Sequence, residues 1–128
     1  MNILLDTQIL LWALIEPARL PADVRDLLEN PDHTVLFSAA SIWEIAIKTS
    51  LGRADFQVPP AKILQAAQDC GFLELPVRAT SALKVATLPL HHRDPFDRLL
   101  IAQALTEPAT LYTADTQLAA YSELVVCL

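Results

Sequence analysis

The chain has 128 residues, the usual size of one domain, and its 53% hydrophobic content is ample for a core. Only 19% of residues are charged and the mean hydropathy is +0.36, an apolar balance that leaves hydrophobic surface for a partner and points to an oligomer. A formal net charge of -6 argues against holding nucleic acid by general phosphate attraction, but not against a nuclease whose bound divalent cations face the phosphates.

The N-terminal MNILLDTQILLWALIEP has the hydrophobicity of a signal sequence without its basic start, and Asp6 and Gln8 interrupt it. Residues 2 to 5 read as a strand, passing near Asp6 into a helix that Pro17 stops. Pro21 opens a second helix, ADVRDLLEN, with Val24, Leu27 and Leu28 on one face, and Pro31 ends it. TVLF at 34 to 37 reads as a buried strand, followed by the helix ASIWEIAIKTSLG, for which Ser38 and Ser41 are both candidate caps and Gly52 the stop. Pro59 and Pro60 open a helix to about Asp69, Gly71 breaks it, and FLELP supplies a third strand. A helix from about Ala79 to Thr87 precedes the polar loop HHRD, and another runs from near Pro95 to Glu107. TLYT is a fourth strand, DTQLAAY a small helix and LVVCL a last strand.

Strands alternating with helices, without repeats or a Gly/Ser linker, indicate a single α/β domain over residues 1–128 with a mainly parallel sheet. No segment reaches the roughly 18 uninterrupted apolar residues of a membrane span, so a soluble, cytoplasmic protein is expected. Cys70 and Cys127 have neither CxxC nor Cys/His ligand spacing, so buried free thiols are expected rather than a disulfide or zinc site.

Carboxylates recur where apolar runs stop. Asp6 ends NILLD, Glu44 sits in SIWEIAIK, Asp94 and Asp97 open DPFDRLLIAQA, and Asp115 follows TLYTAD. An ionised carboxylate is costly to desolvate without a partner, and a shared metal ion would supply one. Functional groups of open α/β sheets collect outside the carboxyl ends of the strands, where Asp6 and Asp115 belong. Helix capping explains Asp6, Asp94 and Asp115 equally well one at a time. Asp97 lies inside a first turn, three residues after Asp94, and Glu44 lies mid-helix among apolar neighbours, with an i,i+4 surface pair to Lys48 as its other reading. Oxygen-rich sites of this kind suit Mg²⁺ or Mn²⁺, and one or two such ions can serve phosphodiester hydrolysis with no covalent nucleophile.

LLDTQILLW, SAASIWEIAIK, HHRDPFDRLLIAQA and LYTADTQLAAY, in this order, resemble the successive motifs of PIN-domain ribonucleases, in particular the VapC-like toxins of bacterial toxin-antitoxin pairs. The resemblance spans nearly the whole chain. It implies a three-layer α/β/α sandwich and a Mg²⁺- or Mn²⁺-dependent endoribonuclease acting on RNA. Carried over by motif, it gives Asp6, Glu44, Asp97 and Asp115 as the four site acids. Asp6 and Asp97 are the principal metal ligands, while Glu44 and Asp115 complete the site directly or through water. Asp94 is an extra acid whose place before Pro95 suits a helix cap that aims Asp97. The resemblance, with the apolar composition, also implies a homodimer bound by a cognate antitoxin.

Thr7 and Thr113 are expected to orient water or a carboxylate, or merely to cap strand ends. Arg98 is assigned to balancing the charge of Asp94 and Asp97, Arg93 is left open, and His91 and His92, which precede the acidic loop, are read as loop histidines without a role in preference to contacts with RNA or a partner. Trp12 and Trp43 follow apolar helical patterns and are assigned to core or dimer packing rather than base stacking. Two other classes compete: a PIN-like binding or regulatory module without catalysis, and an unrelated α/β hydrolase or phosphatase. The second is opposed by the lack of GxSxG and of a glycine-rich phosphate loop.

Overall fold

Asn2–Leu5 (β1), Thr34–Ser38 (β2), Leu73–Leu75 (β3), Thr110–Thr113 (β4) and Val125–Cys127 (β5) are the strands of the computed structural model, which describes residues 1–52 and 58–128. They form one sheet in the order β3-β2-β1-β4-β5, parallel at every pairing among the described residues. Near-continuous apolar runs such as NILL and TVLF are what a sheet covered on both faces requires. The two-residue period of a strand then sorts side chains between two cores. Ile3, Leu5, Val35, Phe37 and Tyr112 point to one face, and Leu4, Leu36, Leu75 and Leu111 to the other.

The first face is covered by Thr7–Ile15 (α1), Ala22–Glu29 (α2), Ala39–Ser50 (α3) and Pro60–Asp69 (α4), through Ile9, Leu10, Val24, Ile45 and Ile63 among others. Pro95–Thr106 (α6) covers the second with Leu100, Ile101 and Ala104, and Ala79–Lys84 (α5) packs beside it. This is the α/β/α sandwich. Each fully buried leucine or isoleucine contributes about 1.5–3 kcal/mol by leaving water, and those of β1 are 0% exposed. The central strand is therefore a firm mount for the residue that follows it, Asp6.

Side-chain caps fix where three of these helices begin. Asp6 accepts from the Ile9 N–H to start α1, Ser38 from the Ala40 N–H to start α3, and Asp94 from the Phe96 and Asp97 N–H groups to start α6. Gly52 and Gly71 follow α3 and α4 with φ of 66° and 81°, left-handed values that glycine adopts without a Cβ penalty.

Several expectations are corrected. The helix expected from Ala79 to Thr87 is α-helical only to Lys84 and continues as a 3₁₀ turn at Val85–Thr87, before Leu88 takes the extended backbone that Pro89 imposes. The small helix after Asp115 is a 3₁₀ helix, Thr116–Tyr121, and a further 3₁₀ turn at Pro17–Arg19 follows α1. Neither thiol is buried: Cys70 is exposed at the end of α4 and Cys127 is half-buried on edge strand β5. Among the described residues no helix is long and apolar enough to cross a membrane.

Candidate active site

The strand order places a topological switch between β1 and β4, because the chain leaves β1 towards β2 and β3 and returns on its other side for β4 and β5. At such a switch the connections diverge and leave a crevice outside the carboxyl ends. Leu5 pairs with Tyr112, so the residues one step further on, Asp6 and Thr113, meet across the crevice. Two helices bring their N-terminal halves to the same edge. Helix α3 starts there because it follows β2, and α6 starts there because its other end feeds β4.

Asp6, Glu44, Asp97 and Asp115 consequently line one cleft of about 480 Å³, with Asp94, Thr7 and Lys48 also on its wall. Asp6 is buried. One of its carboxylate oxygens takes the Ile9 N–H at 2.8 Å, and the other takes the hydroxyl proton of Thr113. The Thr113 hydroxyl also accepts the Asp115 N–H at 3.0 Å, so a single buried threonine ties the first and fourth acids together. Thr7 donates to Glu44 Oε1 at 2.7 Å and lies 2.9 Å from the Ser41 hydroxyl. Glu44 Oε2 meets Lys48 Nζ at 2.6 Å. The i,i+4 pair therefore exists, but its carboxylate is buried against the cleft rather than on a solvated face.

Among the described residues, the electrostatics of the cleft are those of an acid cluster with few cations. Burial pushes the Asp97 carboxyl up to about 7, and Asp94, Asp6 and Glu44 add to the rise, which only a charge on His92 would oppose. Burial also raises the Asp6 carboxyl, with Glu44 adding to it against the Thr113 and Ile9 hydrogen bonds. Among the described lining residues five carboxylates face one cation, Lys48. Hard oxygen donors converging from four elements, two of them held back from ionising, are a donor set that fits a divalent ion such as Mg²⁺ or Mn²⁺.

Asp94 caps α6 through its Oδ1, which places Asp97 on the first turn facing the cleft. Arg98 does not balance these acids. Its guanidinium is spent on the carbonyls of Val85, Leu88, Pro89 and His92 and on the Tyr121 hydroxyl, so it straps the 85–92 segment onto the start of α6. The reading of His92 as a bystander is likewise overturned. Its Nε2 lies 2.8 Å from Asp115 Oδ2 and 3.5 Å from Asp97 Oδ2, and the three ligand-type atoms all lie within 4.8 Å of one another. The signal available in the sequence was its spacing, two residues before the capping aspartate. His91 stacks edge-on against Tyr121 at 5.0 Å, outside the acid cluster. Trp12 packs against the core with Arg19 over its ring, whereas Trp43 is 60% exposed and meets Phe96 edge-on at 5.2 Å, so core packing is wrong for Trp43.

Three solved structures share the fold. The chain resembles that of VapBC2 from Rickettsia felis bound to a DNA fragment from their promoter, with TM-score 0.70, 18% identity and coverage of 100% of this chain and 98% of that one. FitAcB from Neisseria gonorrhoeae gives TM-score 0.60 and 22% identity over 98% of this chain and 96% of that one. FitAB bound to the IR36 DNA fragment gives 0.61 and 23% over 98% and 94%. No curated protein sequence matches. The PIN domain family model matches residues 3–124, nearly the entire chain and a span that includes all four candidate acids, and the chain therefore belongs to the PIN domain family.

Proposed function

We propose that the protein is a Mg²⁺- or Mn²⁺-dependent endoribonuclease that hydrolyses RNA phosphodiester bonds and acts in the cytoplasm as the toxin of a toxin-antitoxin pair. The observation that carries this reading is the convergence of Asp6, Glu44, Asp97 and Asp115 from four separate elements on one open cleft. Asp6 and Asp97 would hold the ion, with Glu44 and Asp115 completing the site directly or through water. When bound, such an ion polarises the phosphate, activates water and stabilises the leaving oxygen.

The chain's own groups prepare that arrangement. Thr113 fixes the rotamer of Asp6, and Thr7 and Lys48 hold one Glu44 oxygen each. Asp97 carries a proton over much of the range below pH 7 and gives it up as a cation arrives, so ion binding releases protons near neutrality. The inactive-module alternative calls for a missing acid, and none is missing from the cleft.

The toxin role rests on the VapC-like motifs and on relatives whose structures are VapBC and FitAB assemblies. With a net charge of -6 the chain gains little from general phosphate attraction, so an antitoxin that inserts a basic side chain among the acids would compete directly with ion and RNA. The apolar composition favours a homodimer as the toxin's working form. Sequencing of RNA ends after induction of the wild type and of Asp97→Asn tests enzyme class and substrate together. New, recurrent internal ends with arrested growth are expected only for the wild type. The same ends from Asp97→Asn, or none from either protein, would contradict the reading.

A further inference from the structure

We propose that His92, as the neutral tautomer with its proton on Nε2, is a positioning residue that fixes the Asp115 carboxylate beside Asp97. Its catalytic consequence rests on the metal-nuclease reading above, but its geometry does not. The Asp94 backbone N–H points at His92 Nδ1 from 2.9 Å, and an amide N–H can only donate. Nδ1 therefore presents its lone pair, and the one proton of a neutral imidazole sits on Nε2. That proton is directed at Asp115 Oδ2, 2.8 Å away.

The rest of the loop holds the ring there. The His92 N–H donates to the Tyr121 hydroxyl at 2.8 Å, and Arg98 Nη1 donates to that hydroxyl at 3.1 Å while also reaching the His92 carbonyl at 3.5 Å. The second Asp115 oxygen is taken by the Gln117 N–H at 2.9 Å. Two donors thus fix the plane of the carboxylate from opposite oxygens and leave its remaining lone pairs free.

His92, Asp97 and Asp115 have the spacing of a three-ligand metal site. The hydrogen bond at Nδ1 speaks against imidazole ligation. A metal on Nε2 would need that nitrogen's lone pair and would move the proton to Nδ1, directly against the Asp94 N–H. The ring is built to donate, which keeps the ion's own donors all oxygen. The spacing His-x-Asp-Pro encodes this, since Asp94 caps α6 with its side chain and sets the histidine tautomer with its main chain.

Two-bond ¹H–¹⁵N correlation spectra of the histidine-labelled protein read the tautomer, and calorimetric titration with Mg²⁺ reads the consequence in the wild type, His92→Ala, His92→Gln and Asp115→Asn. The Nε2–H tautomer is expected for His92. His92→Ala should weaken Mg²⁺ binding about 10- to 100-fold, the usual scale for losing a partner of a ligating carboxylate. Glutamine, which can place a donor near Nε2, should recover most of that loss at unchanged Tm. The His92→Ala/Asp115→Asn double variant should lose little beyond Asp115→Asn. A Nδ1–H tautomer, or wild-type Mg²⁺ affinity in a folded His92→Ala protein, overturns the inference and leaves the nuclease reading standing. A wild type with the Nε2–H tautomer that binds no Mg²⁺ overturns the metal reading, and with it the consequence for binding.

Discussion

Asp97 is the residue at which the conflict between folding and function is sharpest. Its carboxyl is pushed up to about 7 from an ordinary value of 3.8, burial being the largest cause and Asp94, Asp6 and Glu44 the next. Between roughly pH 4 and 7 the folded chain therefore holds a proton that the unfolded chain has released. Stability from this group is fully present below about pH 4 and is lost as pH rises through 7. Asp6 is displaced in the same direction. In the presence of a chelator, the Tm of the wild type should fall between pH 5 and 7.5. Asp97→Asn should flatten part of that fall and melt several degrees higher than the wild type at pH 7.5. Parallel Tm profiles for the two proteins would show that Asp97 is not the titrating group. The acids were legible in the sequence because each stands where an apolar run ends or, for Glu44, where no solvated face explains it. His92 was legible only in its spacing before Asp94, because its partner Asp115 lies 23 residues further along the chain and only folding of the strap brings them together. Arg98 was misread for the same reason: sequence neighbours suggested acids, whereas the strap offered four carbonyls and a hydroxyl.

Among the elements, α6 carries the most consequence, since its first turn sets both the cap and a site acid. Asp94 plays two opposed parts there. Its side chain satisfies the Phe96 and Asp97 N–H groups, while its charge adds to the penalty on ionising Asp97. Asparagine keeps the cap and removes the charge, whereas alanine removes both. Asp94→Ala should thus be less stable than Asp94→Asn by about 1 kcal/mol, the usual worth of such a cap, and Asp94→Asn should match or exceed the wild type at pH 7.5. Equal stability of the Ala and Asn variants, measured by urea unfolding, would deny the cap its role. The caps and prolines that begin the helices could be read in advance, as could β1, β2 and β4, because each signal lies within a few residues. The break in the helix before Pro89 and the 3₁₀ form after Asp115 could not. Both are set by how short segments must bend to meet α6 and β4 rather than by their own periodicity.

For the molecule as a whole, one parallel sheet with a switch between β1 and β4 turns acids far apart in sequence into a single cleft. Alternating strand and helix signals were sufficient for the fold class, while the strand order that places the switch is a tertiary property that local pattern does not encode. The exposure of Trp43 and Cys70 and the half-burial of Cys127 were hidden for a related reason, since apolar helical spacing and thiol preference say nothing about which face a neighbour covers. On the proposed function, the sandwich holds four carboxylates where a divalent ion and a phosphodiester would meet, and one assay addresses that directly: cleavage of a single-stranded RNA by the purified protein with Mg²⁺, with chelator, and with Mg²⁺ after Asp97→Asn substitution. Cleavage by the wild type in Mg²⁺ alone, abolished by chelator and by the substitution, is expected. Equal cleavage in chelator, or by folded Asp97→Asn protein, would contradict the account.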